Sequence, residues 1–372
     1  MPTSEAPVIA IYDKAGELRD FLRAPQSVRV VPRWLEPGEA TLNVQIGDYR
    51  SGLLREPGAR VKIELRGEHV LGGPVTGWEM TGPGEDSGWS FTVTDDSAIL
   101  DRVMCWPDPT KDLAAQPGTD AQAAMSGPLE SVVKTLIRLN APKVGIPLSI
   151  VEDRQRGPRV TVKPRWQSVS EVTSTLLRDA GMGATVVWEP ATNRLRIDVV
   201  EQKPYGIQLS PETRTITAWR ISSQAPVATR VWMGQSDGTA YTSATNGPAE
   251  TDWGVFLTGG TFRAADSADE AATAGTEALN EGGPKSGLSV SLSESGLVRY
   301  GGPTGLHVGD TATIRVGDVT LTDVVREAVI EWKSGGALTV TPAVGAWDQS
   351  PTAALTSAVR RIAATVRKQL NR

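Results

Sequence analysis

The stretch from Ser27 to Trp106 constrains the fold most, because its apolar residues alternate with polar ones between turns rich in Pro and Gly. A period of two bracketed by turn residues is typical of half-buried β-strands. Three runs show it first: Val28 and Val30; Leu42, Val44 and Ile46; and Val61, Ile63 and Leu65. Further strands are predicted at 75–80 and 89–94, followed by a short helical turn at 95–100 that an acidic residue caps. The stretch therefore predicts one antiparallel β-unit of barrel or sandwich type.

A later segment repeats this pattern. Gly58 precedes the run at 61–65, and Gly309 precedes Ala312, Ile314 and Val316 at the same alternate spacing. Each run follows a leucine and leads to a strand with a tryptophan: Leu54 and Trp78, then Leu306 and Trp332. We interpret the two segments as related β-barrel units. The alternative is that any two hairpins after a glycine turn look alike.

Residues 107–205 interrupt the β pattern and predict an α+β insertion. Its predicted elements are a surface loop at 107–125, a helix from 128 to 141, strands at 146–151 and 159–162, a helix at 168–180, and a hairpin at 184–200. The second helix has the clearest signal, because Ser168 and Glu171 have the spacing of a capping box. The chain is thus expected to be mainly β with one mixed domain.

The domains predicted from these patterns are a first β-barrel at 1–106, the insertion at 107–205, a second β-barrel at 206–347, and a C-terminal segment at 348–372. Within the second β-barrel, 241–251 is predicted to be a polar loop and 267–280 a helix. The C-terminal segment has an apolar residue every three or four positions with basic residues between them, which predicts an amphipathic helix. Three roles stay open for this helix: packing on its own domain, pairing with a partner helix, or lying on a membrane surface.

Composition excludes several classes of function. The net charge of −5 over 372 residues provides no broad basic field for nucleic acid. The single cysteine, Cys105, is expected to be a buried free thiol. No basic start with an apolar core resembles a secretory signal, and no apolar run approaches the roughly 18 residues that span a bilayer. We therefore expect cytoplasmic synthesis and no stable membrane insertion.

A search for chemistry predicts no catalytic, cofactor-binding or metal-ligating residues. His69 and His307 are the only histidines, and without ligands at metal-binding spacing they are expected to be surface residues. Glycosidase carboxylates depend on spatial separation, so the pairs Glu36 with Glu39 and Asp95 with Asp96 stay alternatives. Turn and cap roles fit these acidic residues better.

Tryptophan is the most abundant aromatic residue, with 11 against 5 tyrosines and 4 phenylalanines. Such residues are candidate stacking platforms for sugar rings. They are spread along the chain, at positions 34, 78, 89, 106, 166, 188, 219, 232, 253, 332 and 347. Their spread among apolar strand neighbours favours core or interface roles.

The run from Ser27 to Val44 resembles the start of minor tail proteins of siphophages that infect actinobacteria. In these proteins a strand ending in Arg-Trp precedes a Gly-Glu turn and a second alternating strand, here represented by Arg33-Trp34 and Gly38-Glu39. Gly309-Asp310 and the closing segment 338–345 resemble the end of the same family's region. The resemblance covers about residues 6–347.

The resemblance implies a structural virion protein that is not an enzyme, similar to baseplate hub and tail-associated proteins. In such hubs, two barrels per subunit in a trimer imitate the six-fold symmetry of the tail tube. It implies a homotrimer at the virion tail tip, assembled in the host cytoplasm, with DNA or the tape-measure protein passing through its lumen. Its implied partners are the distal tail or tail tube protein, the tape-measure protein and other tip proteins. A receptor- or cell-wall-carbohydrate-binding tail protein is the alternative, and a glycoside hydrolase is a third.

Overall fold

A computed structural model describes residues 6–84, 87–117, 124–145, 147–235, 241–262, 275–276, 278–279, 282–283, 285–295 and 298–345. These residues fall into two compact units. The larger unit comprises the described residues up to 218 and from 290, and the smaller unit comprises those from 219 to 289. The predicted C-terminal helix lies outside the described residues, as does most of the helix predicted at 267–280.

The predicted strands of the first β-unit are confirmed. This unit, residues 8–94, contains β1 (Val8–Tyr12), β2 (Leu18–Phe21), β3 (Ser27–Val31), β4 (Glu39–Val44), helix α1 (Arg50–Leu54), β5 (Arg60–Leu65), β6 (Glu68–Thr81) and β7 (Gly88–Thr94). All neighbours are antiparallel, in the order β3-β4-β7-β6-β5-β1-β2. The helical turn is also present, because Asp95 accepts a hydrogen bond from the backbone nitrogen of Ser97 and caps Asp96–Ala98. Ile46 lies beyond the end of β4 and is exposed, so its place in that strand was wrong.

Residues 107–205, which the sequence assigns to an insertion, contain both helices and strands. Two short elements precede this range, α2 (Ile99–Arg102) and β8 (Met104–Cys105). Within it follow β9 (Met125–Pro128), α3 (Leu129–Asn140), β10 (Leu148–Ile150), β11 (Arg159–Val162), β12 (Gln167–Ser168), α4 (Val169–Asp179), β13 (Met182–Glu189), β14 (Arg194–Glu201) and β15 (Lys203–Pro204). The capping box of α4 is confirmed, since Ser168 and Glu171 bond each other's backbone nitrogens. Apolar residues of α3 and α4 pack with those of β13 and β14 in one core.

The remaining strands and one helix follow in chain order. They are β16 (Ile216–Gln224), β17 (Arg230–Gln235), β18 (Tyr241–Thr245), α5 (Gly247–Trp253), β19 (Leu257–Phe262), β20 (Lys285–Leu292), β21 (Asp310–Val316), β22 (Val319–Lys333) and β23 (Thr339–Val344). The loop predicted at 241–251 was wrong, because this segment contains β18 and most of α5. Its Ser and Thr side chains stay exposed on an edge strand, so the segment lacks the apolar alternation that marks a half-buried strand.

The second β-unit, residues 290–344, repeats a motif of the first. Strand β6 has 14 residues and pairs with β5 along its first half and with β7 along its second. Strand β22 has 15 residues and pairs with β21 and then β23 in the same manner. The similarity seen in the sequence therefore corresponds to a repeated three-strand arrangement.

The two β-units do not form separate barrels, so the prediction of two β-barrels was wrong. Strand β3 pairs with β22, with Val28 opposite Trp332 and Val30 opposite Ile330. The described strands of both units thus belong to one continuous sheet that is not closed. Alternation within a strand reports which face is buried, and it carries no information on which distant strand lies alongside.

One hydrophobic core spans both β-units. Its buried residues include Val30, Leu42 and Phe91 from the first unit and Ala328 and Ile330 from the second. The turn between β5 and β6 also contacts the second β-unit. There the guanidinium of Arg66 donates to both carboxylate oxygens of Glu294, at 2.5 and 2.9 Å, and to the carbonyl of Tyr300 at 2.5 Å.

Trp34 lies where the first β-unit meets both the insertion and the second β-unit. Its backbone nitrogen donates to the carbonyl of Arg326 on β22 at 2.7 Å. A Cβ added to Gly183 would lie 2.3 Å from the indole ring, and one added to Gly309 would lie 2.4 Å from it. The ring is therefore held between two backbones that only glycine allows to approach so closely.

A buried network of charges joins the elements of the insertion. The ammonium of Lys134, on α3, donates to Glu130 at 2.6 Å, to Asp198 at 3.0 Å and to the carbonyl of Glu152 at 2.9 Å. The Nε of Arg156 donates to the other oxygen of Glu130 at 2.9 Å. Burial by itself would raise the pKa of Glu130, but the hydrogen bonds from Arg156 and Lys134 lower it to about 2. This carboxylate therefore contributes stability above its ordinary pKa of 4.5, and the contribution is lost as the pH falls toward 2.

We predict that Gly183→Ala destabilises the protein by about 1–3 kcal/mol, because the indole of Trp34 has no room to move away from the new methyl group. Chemical denaturation measures this change. Gly127→Ala is the matched control, since a Cβ at Gly127 meets only Val132 at an ordinary 3.8 Å. Equal midpoints for the two variants would contradict the packing described for Trp34.

We also predict that Lys134→Met destabilises the protein by about 3 kcal/mol or more, because it leaves Glu130 and Asp198 buried without their shared cation. Urea unfolding monitored by circular dichroism measures the loss. Lys111→Met serves as the control, because the Lys111 side chain is half exposed and pairs only with Asp108 at the surface. A loss below 1 kcal/mol for Lys134→Met would show that the network is not needed.

Candidate interaction surfaces

Three of the four acidic residues considered as glycosidase candidates have a structural partner. Glu39 pairs with Arg33 at 3.0 Å, and Asp95 caps the turn after β7. Asp96 is buried against the guanidinium of Arg60. Desolvation raises the pKa of Asp96 to about 6 against the opposing effect of Arg60. Glu36 is exposed beside the turn that the sequence predicted.

Asp95 does line a cavity of about 250 Å³, together with His69, Asp101 and Ser170. The hydroxyl of Ser170 donates to Asp101, so this second carboxylate also has a partner. A further cavity of about 280 Å³ contains Arg60 and Asp96 beside Trp188. Both cavities lie between the first β-unit and the insertion, and the carboxylate of Asp101 bonds Ser170 of the insertion.

Three other sequence expectations concern single residues. Cys105 is a buried free thiol, and burial raises its pKa to about 12, which leaves it unreactive at neutral pH. His69 is exposed, as predicted. His307 lies at the surface too, but it touches Glu68 and Asp310, a contact that the sequence did not reveal. Among the described residues, no group of three or more His, Cys, Asp or Glu side chains is arranged to hold a metal ion.

The tryptophans divide between core and surface. Trp188 and Trp332 are buried, in agreement with the core role. Exposed tryptophans are also present: Trp78, Trp166, Trp219, Trp232 and Trp253. Two of these exposed rings lie beside other exposed apolar side chains, and such contiguous patches define the candidate interaction surfaces.

The first surface, called here the Trp78 face, comprises Ile46, Trp78 and Met80. Trp78 and Met80 alternate along β6 and lie opposite Phe91 and Trp89 of β7. Trp78 and Met80 extend the apolar face of the sheet beyond the part that is buried in the core. Trp78 is 54% exposed. Ile46 lies near Gly82 at the end of the same strand.

Aromatic packing orders the Trp78 face. The rings of Trp78 and Trp89 meet edge to face with centroids 5.5 Å apart. The guanidinium of Arg55 lies 4.4 Å from the centroid of Trp89 and 6.0 Å from that of Trp78. Rigid aromatic groups with a nearby arginine have the composition of binding hot spots in protein interfaces.

The second surface, called here the Trp232 face, belongs to the smaller unit. In the sheet β18-β17-β19, Val231 and Met233 point into a small core, and Trp232 between them is 57% exposed. Tyr241 packs across Gly234 on the same side. The face thus carries two aromatic rings, with Ser243 opposite Trp232.

Comparison with known proteins identifies the family. The family model described as "Siphovirus ReqiPepy6 Gp37-like protein" matches residues 8–346. The chain belongs to this family of Siphovirus ReqiPepy6 Gp37-like proteins. This confirms the resemblance to siphophage tail proteins that the sequence indicated. No curated protein matches the chain.

Solved structures of phage tail proteins share the fold. The 43 kDa tail protein of prophage MuSo2 from Shewanella oneidensis has a TM-score of 0.54 at 12% identity, covering 91% of this chain and 97% of that one. Prophage tail protein gp18 from Listeria monocytogenes EGD-e has a TM-score of 0.54 at 10% identity, covering 97% and 99%. A tail protein from Neisseria meningitidis MC58 has a TM-score of 0.53 at 11% identity, covering 92% and 97%. This Gp37-like chain therefore has the fold of a phage tail structural protein along nearly its whole length.

Within the part of the chain that the structure describes, helices long and apolar enough to cross a bilayer are absent.

Proposed function

We propose that the protein is a hub subunit at the tip of a phage tail, and that three copies form a ring that ends the tail tube. The observation that carries the proposal is the repeated arrangement of β5-β6-β7 and β21-β22-β23 within one sheet. Three subunits of this kind would present six similar β-units. That number matches the six-fold symmetry of a tail tube, which is the arrangement implied by the resemblance to hub proteins.

Open sheet edges support the assembly part of the proposal. At one end of the continuous sheet, β2 pairs only with β1 among the described strands. Its Leu18 and Phe21 are exposed. An unpaired edge with apolar side chains is an aggregation hazard unless another chain covers it. In a closed ring each edge would be covered by the neighbouring copy.

The Trp78 face is the surface that we assign to the contact between subunits. It lies on the same sheet, and a neighbour would bury its exposed apolar side chains, Ile46, Trp78 and Met80. In this role the protein would act mechanically, by connecting the tube to other tip proteins during assembly and DNA delivery. The tape-measure protein or DNA would pass through the lumen.

We expect the purified protein to have three times the mass of one chain by light scattering, and to show rings with a central hole by electron microscopy. A complex of this kind would support the hub role and leave its tail partners as the next question. A monomer at high concentration that also fails to join tail particles would contradict it. That outcome would favour the wall-binding alternative, for which the Trp232 face is the candidate surface.

We further expect Trp78→Ser to weaken self-association at least tenfold, which corresponds to about 1.4 kcal/mol. Sedimentation equilibrium measures the change, and circular dichroism confirms that the monomer keeps its fold. Trp232→Ser is the matched control, because it removes an equally exposed indole from the smaller unit. Trimers of unchanged affinity in both variants would exclude the Trp78 face from the subunit contact.

A further inference from the structure

Besides the β3–β22 pair, the two β-units are also in contact at Glu68, whose carboxylate faces two hydrogen-bond donors. Glu68 begins β6, just after the turn that carries Arg66. Its Oε2 accepts a hydrogen bond from the backbone nitrogen of Gly302 at 2.7 Å and lies 2.9 Å from the Nε2 of His307. Both donors belong to residues 298–310, the segment that leads into β21 of the second β-unit.

The other ring nitrogen of His307 also faces a carboxylate. Its Nδ1 lies 3.4 Å from the Oδ2 of Asp310, and the backbone nitrogen of His307 donates to the same oxygen at 2.8 Å. A neutral imidazole has one N–H and can donate to only one of the two carboxylates, whereas the imidazolium donates to both. The ring of His307 can therefore donate to both carboxylates only when it is protonated.

Other titratable groups lie around these three side chains. Arg66 is the nearest cation on the turn, and its guanidinium is already bound by Glu294 and the carbonyl of Tyr300. The ring of Tyr300 lies beside that of His307, with centroids 6.3 Å apart, and burial raises the pKa of its phenol. On the far side, Asp310 faces the phenol of Tyr205, whose pKa burial also raises. Both phenols thus stay neutral in the pH range where histidine titrates.

We propose that Glu68, His307 and Asp310 form a proton-dependent clasp that holds segment 298–310 of the second β-unit on the tip of the β5–β6 hairpin. The clasp is a property of the single chain, so it does not depend on the ring proposed above. When His307 loses its proton, one carboxylate loses its donor. The contact between the hairpin tip and the segment then weakens.

The direction of the pH dependence follows from the charges. The hydrogen bond to Asp310 raises the pKa of His307, burial opposes this, and the hydrogen bond to Glu68 adds to the rise. The hydrogen bond from His307 lowers the pKa of Glu68 in turn. A histidine with a raised pKa stabilises the folded state fully below its ordinary value of 6.5, and the contribution is lost as the pH rises through the folded-state pKa. The clasp is therefore closed in mild acid and open in alkali.

The chain has only two histidines, which makes a direct measurement possible. In full-length protein with ¹³C-labelled histidine, we expect one of two NMR signals to titrate clearly above pH 6.5 and to disappear in His307→Gln. Glu68→Gln should move that signal to lower pH, because it removes a negative charge and keeps an acceptor for Gly302. If His307→Gln fails to fold, the shift of the His307 titration in Glu68→Gln tests the proposal by itself.

Hydrogen exchange tests the structural consequence. After correction for the intrinsic effect of pH, amides of segment 298–310 should exchange several-fold faster at pH 9 than at pH 6 in the native protein. In His307→Gln they should exchange at the faster rate at both pH values. His69→Gln removes the other histidine and should behave as the native protein does.

A His307 signal that titrates at or below 6.5 would overturn the clasp, as would exchange of this segment that is equal at both pH values. These outcomes are separable from the ring proposal. The oligomeric state is measured independently in the same samples, and the titration of His307 is read from the single chain.

Discussion

The pairing of β3 with β22 is the interaction on which the rest of the larger unit depends. It brings residues 27–30 alongside residues 330–333, so that two segments about three hundred positions apart become neighbours in one sheet. The common core then follows, because Val28 and Val30 present their side chains to the same side as Ile330 and Trp332. Closing such a long loop costs conformational entropy, and burial of this core offsets that cost.

Trp34 connects the two β-units to the insertion. It belongs to the Arg-Trp motif on which the family resemblance rests. In the Arg-Trp pair, Arg33 bonds Glu39 on β4 and Glu327 on β22, while the indole of Trp34 fits between Gly183 and Gly309. Both residues therefore act at the meeting point of the three substructures. A motif without catalytic chemistry has a clear physical role here, which is to fix the relative positions of rigid parts.

Polar groups at the remaining joints add specificity to these apolar contacts. Arg66 reaches Glu294 and Glu68 reaches His307 between the two β-units. Arg60 pairs with Asp96 just after β7 and lies 4.8 Å from the ring centroid of Trp188 in the insertion. Partly buried ion pairs add less to stability than the core does, because desolvation opposes their attraction. Their geometry nevertheless favours one arrangement of the parts. For a subunit whose proposed work is mechanical, a defined arrangement of rigid parts is the functional property.

The sequence by itself determined the strands of the first β-unit, both helices of the insertion, the capping box of α4 and the repeated pattern after Gly58 and Gly309. These features depend on neighbours in the chain, where alternation, helical spacing and turn residues act directly. The strand at 241–245 was missed because its exposed polar side chains follow no apolar period.

Only the tertiary structure decided that the β-units share an open sheet, that Lys134 is buried among carboxylates, and that His307 faces two of them. Each of these depends on a partner far apart in sequence. The separation is 64 positions for Lys134 and Asp198, 239 for Glu68 and His307, and about 300 for β3 and β22. Local patterns state which face of a strand or helix is buried. They do not state what lies against that face, because the partner is selected by packing and charge in the folded chain.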